Sequence, residues 1–509
     1  MDSQHSRFQK LLAGGGLLFI GLIVELGVSF FAKALIARVL GPVNYGGVSL
    51  GVTTLGLVST ITLLGLHTGV GRYLPRVDSK AERRGILLSA FQIVVPVTTV
   101  AGVLVFVFAE PIAKHVFTDT STSIYIRIFG LAIPFAAVMK LTIGVIRGLQ
   151  RSAPKVVVQN ITPPVTRFTA VAVAVLFSAG AIGIATAYAV AYVIAAVIGL
   201  YYVITRTELL ENIKPIYMYG ELLSFSVPLV ISAAMGFILT DLDTFMLGYF
   251  STTRDVGVYN VVYPLAQILT TGLTAFAFLF MPVLSKLDAE GATSEMCRTY
   301  QIVTKWIFMG TFPIFLVVAL FPEMTIRVTF GSEYMEGATA LTLLAVAYFT
   351  HTIAGPNGNT LTSIGRTQLI MWDNLAVGVL NAILNLVLIP EYGYFGAGVA
   401  TAVSYVVLNI LYSAQLYRAT QIHPFTSALV YPSLIASVLM SIIYLGTTNF
   451  LTVTLPILIM MFLIFILLYA LIIFRFGGIE EEEVALVLSF EDRFDINLGP
   501  LKKVAERLM

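Results

Sequence analysis

The feature that most restricts this chain is a succession of apolar runs, nearly all of them long enough to cross a bilayer. A transmembrane helix needs about 20 mostly apolar residues. Such runs lie near 12–40, 47–72, 86–108, 124–146, 156–178, 181–204, 222–247, 257–283, 306–321, 338–362, 368–389, 394–416, 428–446 and 451–474, which makes fourteen. They are too long for barrel strands and lack the period-2 alternation of a barrel wall. Only 11% of the residues are charged, against about 25% in soluble domains. The expected fold is therefore an all-α polytopic membrane protein with 14 transmembrane helices. A net charge of +2 dispersed over 509 residues offers no concentrated basic face for nucleic acid. The single cysteine, Cys297, excludes a disulfide scaffold.

Arg7 and Lys10 precede the first apolar run. That run continues far past a signal-peptide core and meets no small-x-small cleavage site, so it reads as a retained helix. Cationic loop residues set the orientation. With the amino terminus inside, the inner side collects eighteen, among them Arg72, Arg76, Lys80, Arg83, Arg84, Arg147, Arg151 and Lys155, while the outer side collects Lys114, Arg127, Arg254 and Arg327. The imbalance places both termini in the cytoplasm and the chain in the cell membrane.

The sixth and twelfth runs repeat one another. Gly180, Gly183, Ala187, Val190, Tyr192 and Val193 align with Gly393, Gly396, Ala400, Val403, Tyr405 and Val406 at a constant offset of 213. At an offset of 210, Gly46-Gly47-Val48 matches Val256-Gly257-Val258, and Arg151-Ser152 matches Arg366-Thr367 at 215. Six spans is an even number, so the two repeats are parallel and related by an axis along the membrane normal. The expected organisation is an amino-terminal lobe over 1–210, a second lobe over 211–420, two extra helices over 421–475 and a cytoplasmic tail over 476–509. Two lobes that rock against each other suit alternating access.

Several chemistries are missing. No lysine follows a glycine, which excludes a phosphate-cradling Walker loop, and no histidine precedes a glutamate, which excludes the zinc-protease helix. His5, His67, His115, His351 and His423 have no metal-ligand spacing, so neither metal nor cofactor is expected. The longest connections, around 205–221, 284–305 and 322–337, are too short for a soluble catalytic domain, and the chain reads as a transporter. Asn160-Ile161-Thr162 is formally a glycosylation sequon, but it falls at the cytoplasmic end of the fifth span and is read as incidental.

Charges within the spans remain. An ionisable group at bilayer depth costs from about 2.5 kcal/mol, so it normally faces a partner or a polar path. Candidates are Glu25, Lys33, Arg38, Lys140, Arg167, Asp241, Asp243 and Asp373. The 210 offset superposes Lys33 on Asp243, suggesting a lobe-interface charge pair that closes the outer side. Arg72 and Arg167 are the candidates for an anionic substrate, because arginine offers a planar fork of donors that fits phosphate; Glu25 is a candidate partner. Asn374, Asn381 and Asn385 share one helical face, where amides either bind helices together or line a polar path.

Several motifs carry a family likeness. Leu384-Asn385 through Ile389-Pro390 to Gly393, Gly396, Ala400 and Thr401 resembles the signature of the polysaccharide transporters. These are lipid-linked oligosaccharide flippases of the multidrug/oligosaccharidyl-lipid/polysaccharide exporter superfamily. Asp243-Thr-Phe-Met-Leu247-Gly248 with Val256-Gly257-Val-Tyr259, Phe330-Gly331-Ser-Glu-Tyr334, and Arg38-Val-Leu40-Gly41-Pro42 with Tyr45-Gly46 fit the same family. The resemblance implies movement of a polyprenyl (dolichol or undecaprenyl) phosphate- or diphosphate-linked sugar from the cytoplasmic to the outer leaflet. It also implies a cationic cavity, matched in kind by Arg72 and Arg167, and lipid-linked sugar, membrane lipids and glycan-assembly enzymes as partners; Glu25, Asn381 and Asn385, read from their positions within the spans, join the two arginines as candidate cavity lining. The alternative is a cation-coupled drug or metabolite antiporter of the same superfamily, binding its ion at Glu25, Asp241 or Asp373.

Overall fold

The computed structural model describes residues 2–117, 119–450, 454–473 and 475. Among them every regular element is helical: α1 (Asp2–Thr62), α2 (Leu66–Tyr73), α3 (Lys80–Val107), α4 (Ala109–His115), α5 (Ser123–Gly148), α6 (Ser152–Lys155), α7 (Thr162–Leu176), α8 (Gly180–Arg206), α9 (Tyr219–Phe250), α10 (Thr253–Gln267), α11 (Thr271–Ala289), α12 (Thr293–Leu320), α13 (Pro322–Thr329), α14 (Ala338–Ala354), α15 (Asn357–Ser363), α16 (Thr367–Thr420), α17 (Ser427–Phe450) and α18 (Leu455–Ile472). Among the described residues, eight helical stretches are long and apolar enough to cross a membrane. In the most apolar of these, within α18, only 22% of the span is buried, so most of its side chains face outward, as they do toward lipid. The expected tail over 476–509 lies outside the described residues.

Glycine and proline act together where consecutive runs join. The first two runs meet within α1 as two helices joined at a kink, where Gly41 adopts φ 69°. That left-handed conformation suits a residue without Cβ, and Pro42 then opens the second limb, where its missing N–H is harmless. The eleventh and twelfth runs likewise meet within α16 as two helices joined at a kink, where Gly393 adopts φ 52° just after Pro390. The connection expected over 284–305 is almost entirely helical, because α11 and α12 extend past their apolar stretches in polar turns.

The chain divides into two compact units. The first comprises 1–264, 329–337 and 382–400. Its core includes Leu66, Val70, Ile86, Leu87, Leu141, Val145, Val203 and Leu222. The irregular stretch between α8 and α9 is pinned to the start of α3 by Lys80–Glu211 at 3.1 Å, Arg83–Glu208 at 3.3 Å and an Ile216 N–H to Ala81 carbonyl bond of 3.0 Å. The second unit comprises 265–328, 338–381 and 401–509. Among its described residues Leu273, Phe280, Tyr300, Val303, Ile307, Leu361 and Tyr412 build the core.

Candidate functional site

Between α6 and α7 of the first unit, residues Val156–Ile161 form a wider i→i+5 turn. Pro163 and Pro164 follow it. Two prolines remove two N–H donors and their rings crowd the preceding carbonyls, so a wider turn relieves the clash; such turns recur at functional sites. The turn lies hard against α1, where a Cβ added at Gly21 would come within 2.7 Å of Val156. It directs the buried Asn160 amide at α1, where Nδ2 donates to Glu25 Oε2 at 2.5 Å.

One and a half turns further along α7, the Arg167 guanidinium lies over the Tyr188 ring at 4.1 Å and beside Tyr192 at 5.8 Å, both on α8. Its Nε is buried with no hydrogen-bond partner among the described residues. The fields of Glu25 and Tyr45 reach the guanidinium. Lys33, also on α1, lies in the field of both Arg167 and Asp241. Lys140 on α5 feels Asp241 as well, and its ammonium donates to Ser59 and Thr60, each at 3.1 Å. Helices α1, α5, α7, α8 and α9 thus gather three cations, two carboxylates and several tyrosines in a region otherwise built of apolar side chains. Arginine N–H groups held flat on an aromatic face, one unpartnered, are suited to an oxygen-rich anion.

The structure brings Glu25, Lys33 and Arg167 into one cluster. Arg72 stands elsewhere, exposed on α2 with its guanidinium 4.0 Å above the Phe225 ring. The carboxylate whose field reaches Lys33 is that of Asp241; Asp243, two residues on, accepts hydrogen bonds from Tyr259 and Asn385, each at 2.5 Å. Asn385 is buried in the first unit, and Asn381 is half-buried on the part of α16 that belongs to the second. The sequence reading passed over Asn160, Tyr45, Tyr188 and Tyr192 as contributors. The signal for the tyrosines was present: residues 188 and 192 are one helical turn apart on a helix otherwise rich in Ala, Val and Ile.

A second arrangement lies at the end of this unit where α1 bends. Tyr334 donates to the Ala37 carbonyl at 2.9 Å, Arg38 Nε to the Thr329 carbonyl at 2.9 Å, and Tyr394 to the Glu336 carbonyl at 2.9 Å. Arg254 pairs with Glu336 at 2.7 Å. Helices α1 and α10 cross here at Gly46 and Gly257. A Cβ on Gly257 would fall 2.0 Å from the Pro42 carbonyl oxygen, and one on Gly46 would fall 1.9 Å from that of Thr253. Thr253 Oγ1 donates to Asp119 at 2.5 Å. Burial works against the Asp119 charge, but hydrogen bonds from Thr253 and Ser121 outweigh it and hold the carboxyl below its usual range.

Residues 11–288 match the family described as "Polysaccharide biosynthesis protein". The chain is 25% identical over 406 residues to the "Probable low-salt glycan biosynthesis flippase Agl15" of Haloferax volcanii, covering 78% of this chain and 82% of that one. It is 28% identical over 195 residues to the "Probable flippase AglR" of the same organism, covering 37% of this chain and 40% of that one. Among solved structures it resembles the lipid II flippase MurJ in an inward closed conformation, with TM-score 0.71 and 15% identity over 90% of this chain and 99% of that one. An inward-facing multidrug resistance transporter of the MATE family matches with TM-score 0.64 and 12% identity over 78% and 94% of the two chains. These structural likenesses are likenesses of fold.

Proposed function

We propose, from the premise that this chain belongs to the polysaccharide biosynthesis protein family, that it is a flippase for lipid-linked glycans. Its cargo is a sugar or oligosaccharide on a polyprenyl phosphate or diphosphate, carried from the cytoplasmic to the outer leaflet for surface glycan assembly or protein glycosylation. Sugars and phosphates cannot cross hydrocarbon unaided, since each unsatisfied polar group costs several kcal/mol there. The observation that carries the reading is the tyrosine-backed Arg167, with its orphaned donor inside a membrane-depth cluster of charges. The anionic linkage between sugar and prenyl chain meets Arg167 and its neighbours while the tail stays in lipid. The named relatives are flippases and transporters, and no chemistry on the substrate is required.

In this reading the chain makes fourteen spans, with two parallel six-span lobes over 1–210 and 211–420, two further helices, and both termini in the cytoplasm. The contacts of Tyr334, Arg38 and Arg254 then lie at the outer side and keep it shut while the head group loads from the inside. Arg72, Asn381 and Asn385 are proposed to line the path. Lys33, with Asp241 or Asp243, is proposed to help close it, and glycan-assembly enzymes are the proposed partners.

The test is deletion of the gene followed by leaflet-resolved analysis of lipid-linked glycan. Accumulation on the cytoplasmic side, reversed by the wild-type gene and not by Arg167→Ala, is the expected result. Normal glycans with altered drug tolerance would overturn the proposal in favour of the antiporter.

A further inference from the structure

A guanidinium and a carboxylate in one apolar region attract strongly, because the low dielectric scarcely screens them. Left free, they close into a bidentate pair that uses up the arginine's donors. Glu25 and Arg167 have not done so. The field of Glu25 reaches the guanidinium, yet Arg167 lies on the Tyr188 ring rather than on the acid, and its buried Nε has no acceptor among the described residues. Lys33, a like charge in the field of Arg167, adds to the local demand for an anion. What keeps the acid away is Asn160, whose Nδ2 holds Glu25 Oε2 at 2.5 Å. That amide is itself fixed. Asn160 is buried within the wide turn Val156–Ile161, which is wedged between two glycines. A Cβ added at Gly21 on α1 would come within 3.3 Å of the Asn160 Cβ, and one at Gly199 on α8 within 3.2 Å of Val158. Lys155, a full turn before Asn160 and so further from Arg167 along the chain, also lies in the field of Glu25 and draws the carboxylate the same way.

We propose that Asn160 is a positioning residue that restrains Glu25, so that the donors of Arg167 stay vacant for the anionic linkage of the cargo. The tethered carboxylate still acts through its field, and so lowers the cost of burying a guanidinium with no direct partner. Without the tether, the same carboxylate becomes a competitor that the cargo has to displace. Asn160 touches neither the cargo nor Arg167 in this scheme; it acts through Glu25. The proposal rests on the cargo reading above for what fills the arginine, and not for how the arginine is kept open.

It is tested first on the purified full chain in detergent, by nuclear magnetic resonance with ¹⁵N at the arginine Nε and the Arg167 signal assigned by its absence in Arg167→Lys. Asn160→Leu keeps the size of the side chain and removes its donor. The Arg167 Nε–H signal is expected to move downfield in Asn160→Leu, as Glu25 closes on the guanidinium, and to return to its wild-type position in Asn160→Leu/Glu25→Gln. No cargo is needed for this readout. In cells lacking the gene, leaflet-resolved glycan analysis is then expected to show flipping lowered about tenfold by Asn160→Leu, the scale of one hydrogen bond to a charged group. The double variant is expected to recover most of that loss, which a merely structural role for Asn160 does not allow. An Arg167 signal indifferent to Asn160→Leu, or a shift that persists in the double variant, would overturn the proposal. A shifted and restored signal with flipping unchanged throughout upholds the positioning and instead removes Arg167 from the cargo site, so the two readings fail separately. If Asn160→Leu does not fold, Glu25→Gln alone decides. A carboxylate held off by Asn160 makes no contact with Arg167, so the signal is expected to stay in place; a marked displacement would show a direct pair and sink the idea.

Discussion

At the scale of residues, Arg167 is the group on which transport depends most. Arg167→Ala should lower flipping by about tenfold or more, which corresponds to about 1.4 kcal/mol, while leaving the melting temperature near wild type. Arg167→Lys should recover little, since an ammonium lacks the planar fork that lies on Tyr188. Leaflet-resolved glycan analysis of both variants checks this, and activity equal to wild type in Arg167→Ala removes the residue from the site. The Asn160–Glu25 bond invites a double-mutant cycle. Asn160→Ala and Glu25→Gln should each destabilise, with a coupling of about 1.5–3 kcal/mol for a hydrogen bond to a charged group; additive losses would show that the two do not interact. Glu25, Lys33 and Arg167 were legible as ionisable groups at membrane depth. Asn160 was not, because only the wide turn ahead of Pro163 aims its amide at α1. The repeat is equally instructive: Tyr192 attends Arg167, whereas its counterpart Tyr405 meets His351 Nδ1 at 2.9 Å and lies tilted against the Tyr348 ring. Duplicated sequence has kept the tyrosine and changed its partner.

At the scale of elements, the crossing of α1 with α10 depends on two hydrogens where other residues carry a methyl. Gly257→Ala places a carbon 2.0 Å from a backbone oxygen that no rotamer can move. The helices must then separate, at a cost of about 1–3 kcal/mol or more; loss of folded protein on size-exclusion chromatography is the expected sign, and a normal profile would contradict the crossing. The neighbouring tie between Asp119 and Thr253 is sensitive to acid. Because the folded carboxyl sits below its usual range, its stabilising effect is complete above the unfolded value of about 3.9 and fades as pH falls through the lower folded value. Hydrogen exchange in the segments around 119–123 and 253–257 should stay slow at neutral pH and rise in strong acid. Asp119→Asn should raise it at neutral pH and abolish the acid dependence. Length alone identified nearly all the long helices, and the breaks between the first and second and the eleventh and twelfth runs fall at the kinks at Gly41 and Gly393; the direction the chain takes there was not legible, since a glycine near a proline looks the same in sequence whether it ends a helix or redirects one.

At the scale of the molecule, the closed end of the first unit must open once in each transport cycle if the head group leaves on that side. In a Cys297→Ser background, cysteines at Arg254 and Glu336 joined by a short cleavable linker should arrest flipping, and cleavage should restore it; transport that persists in the joined protein would place the exit elsewhere. Neither residue belongs to the Arg167 cluster, and their ion pair, about half exposed, contributes little stability of its own, so the readout is motion rather than folding. What the sequence determined by itself was the solvent and the class. Runs of about 20 apolar residues admit only helices in hydrocarbon, because every backbone N–H and C=O must be satisfied within the segment, and a charge within such a run announces a polar task. Which charges meet was decided by tertiary structure alone. Partnership between Glu25 and Asn160, 135 residues apart, or between Asp243 and Asn385, 142 apart, depends on helix rotation and crossing, and those are set by the packing of side chains and glycines that no local pattern encodes.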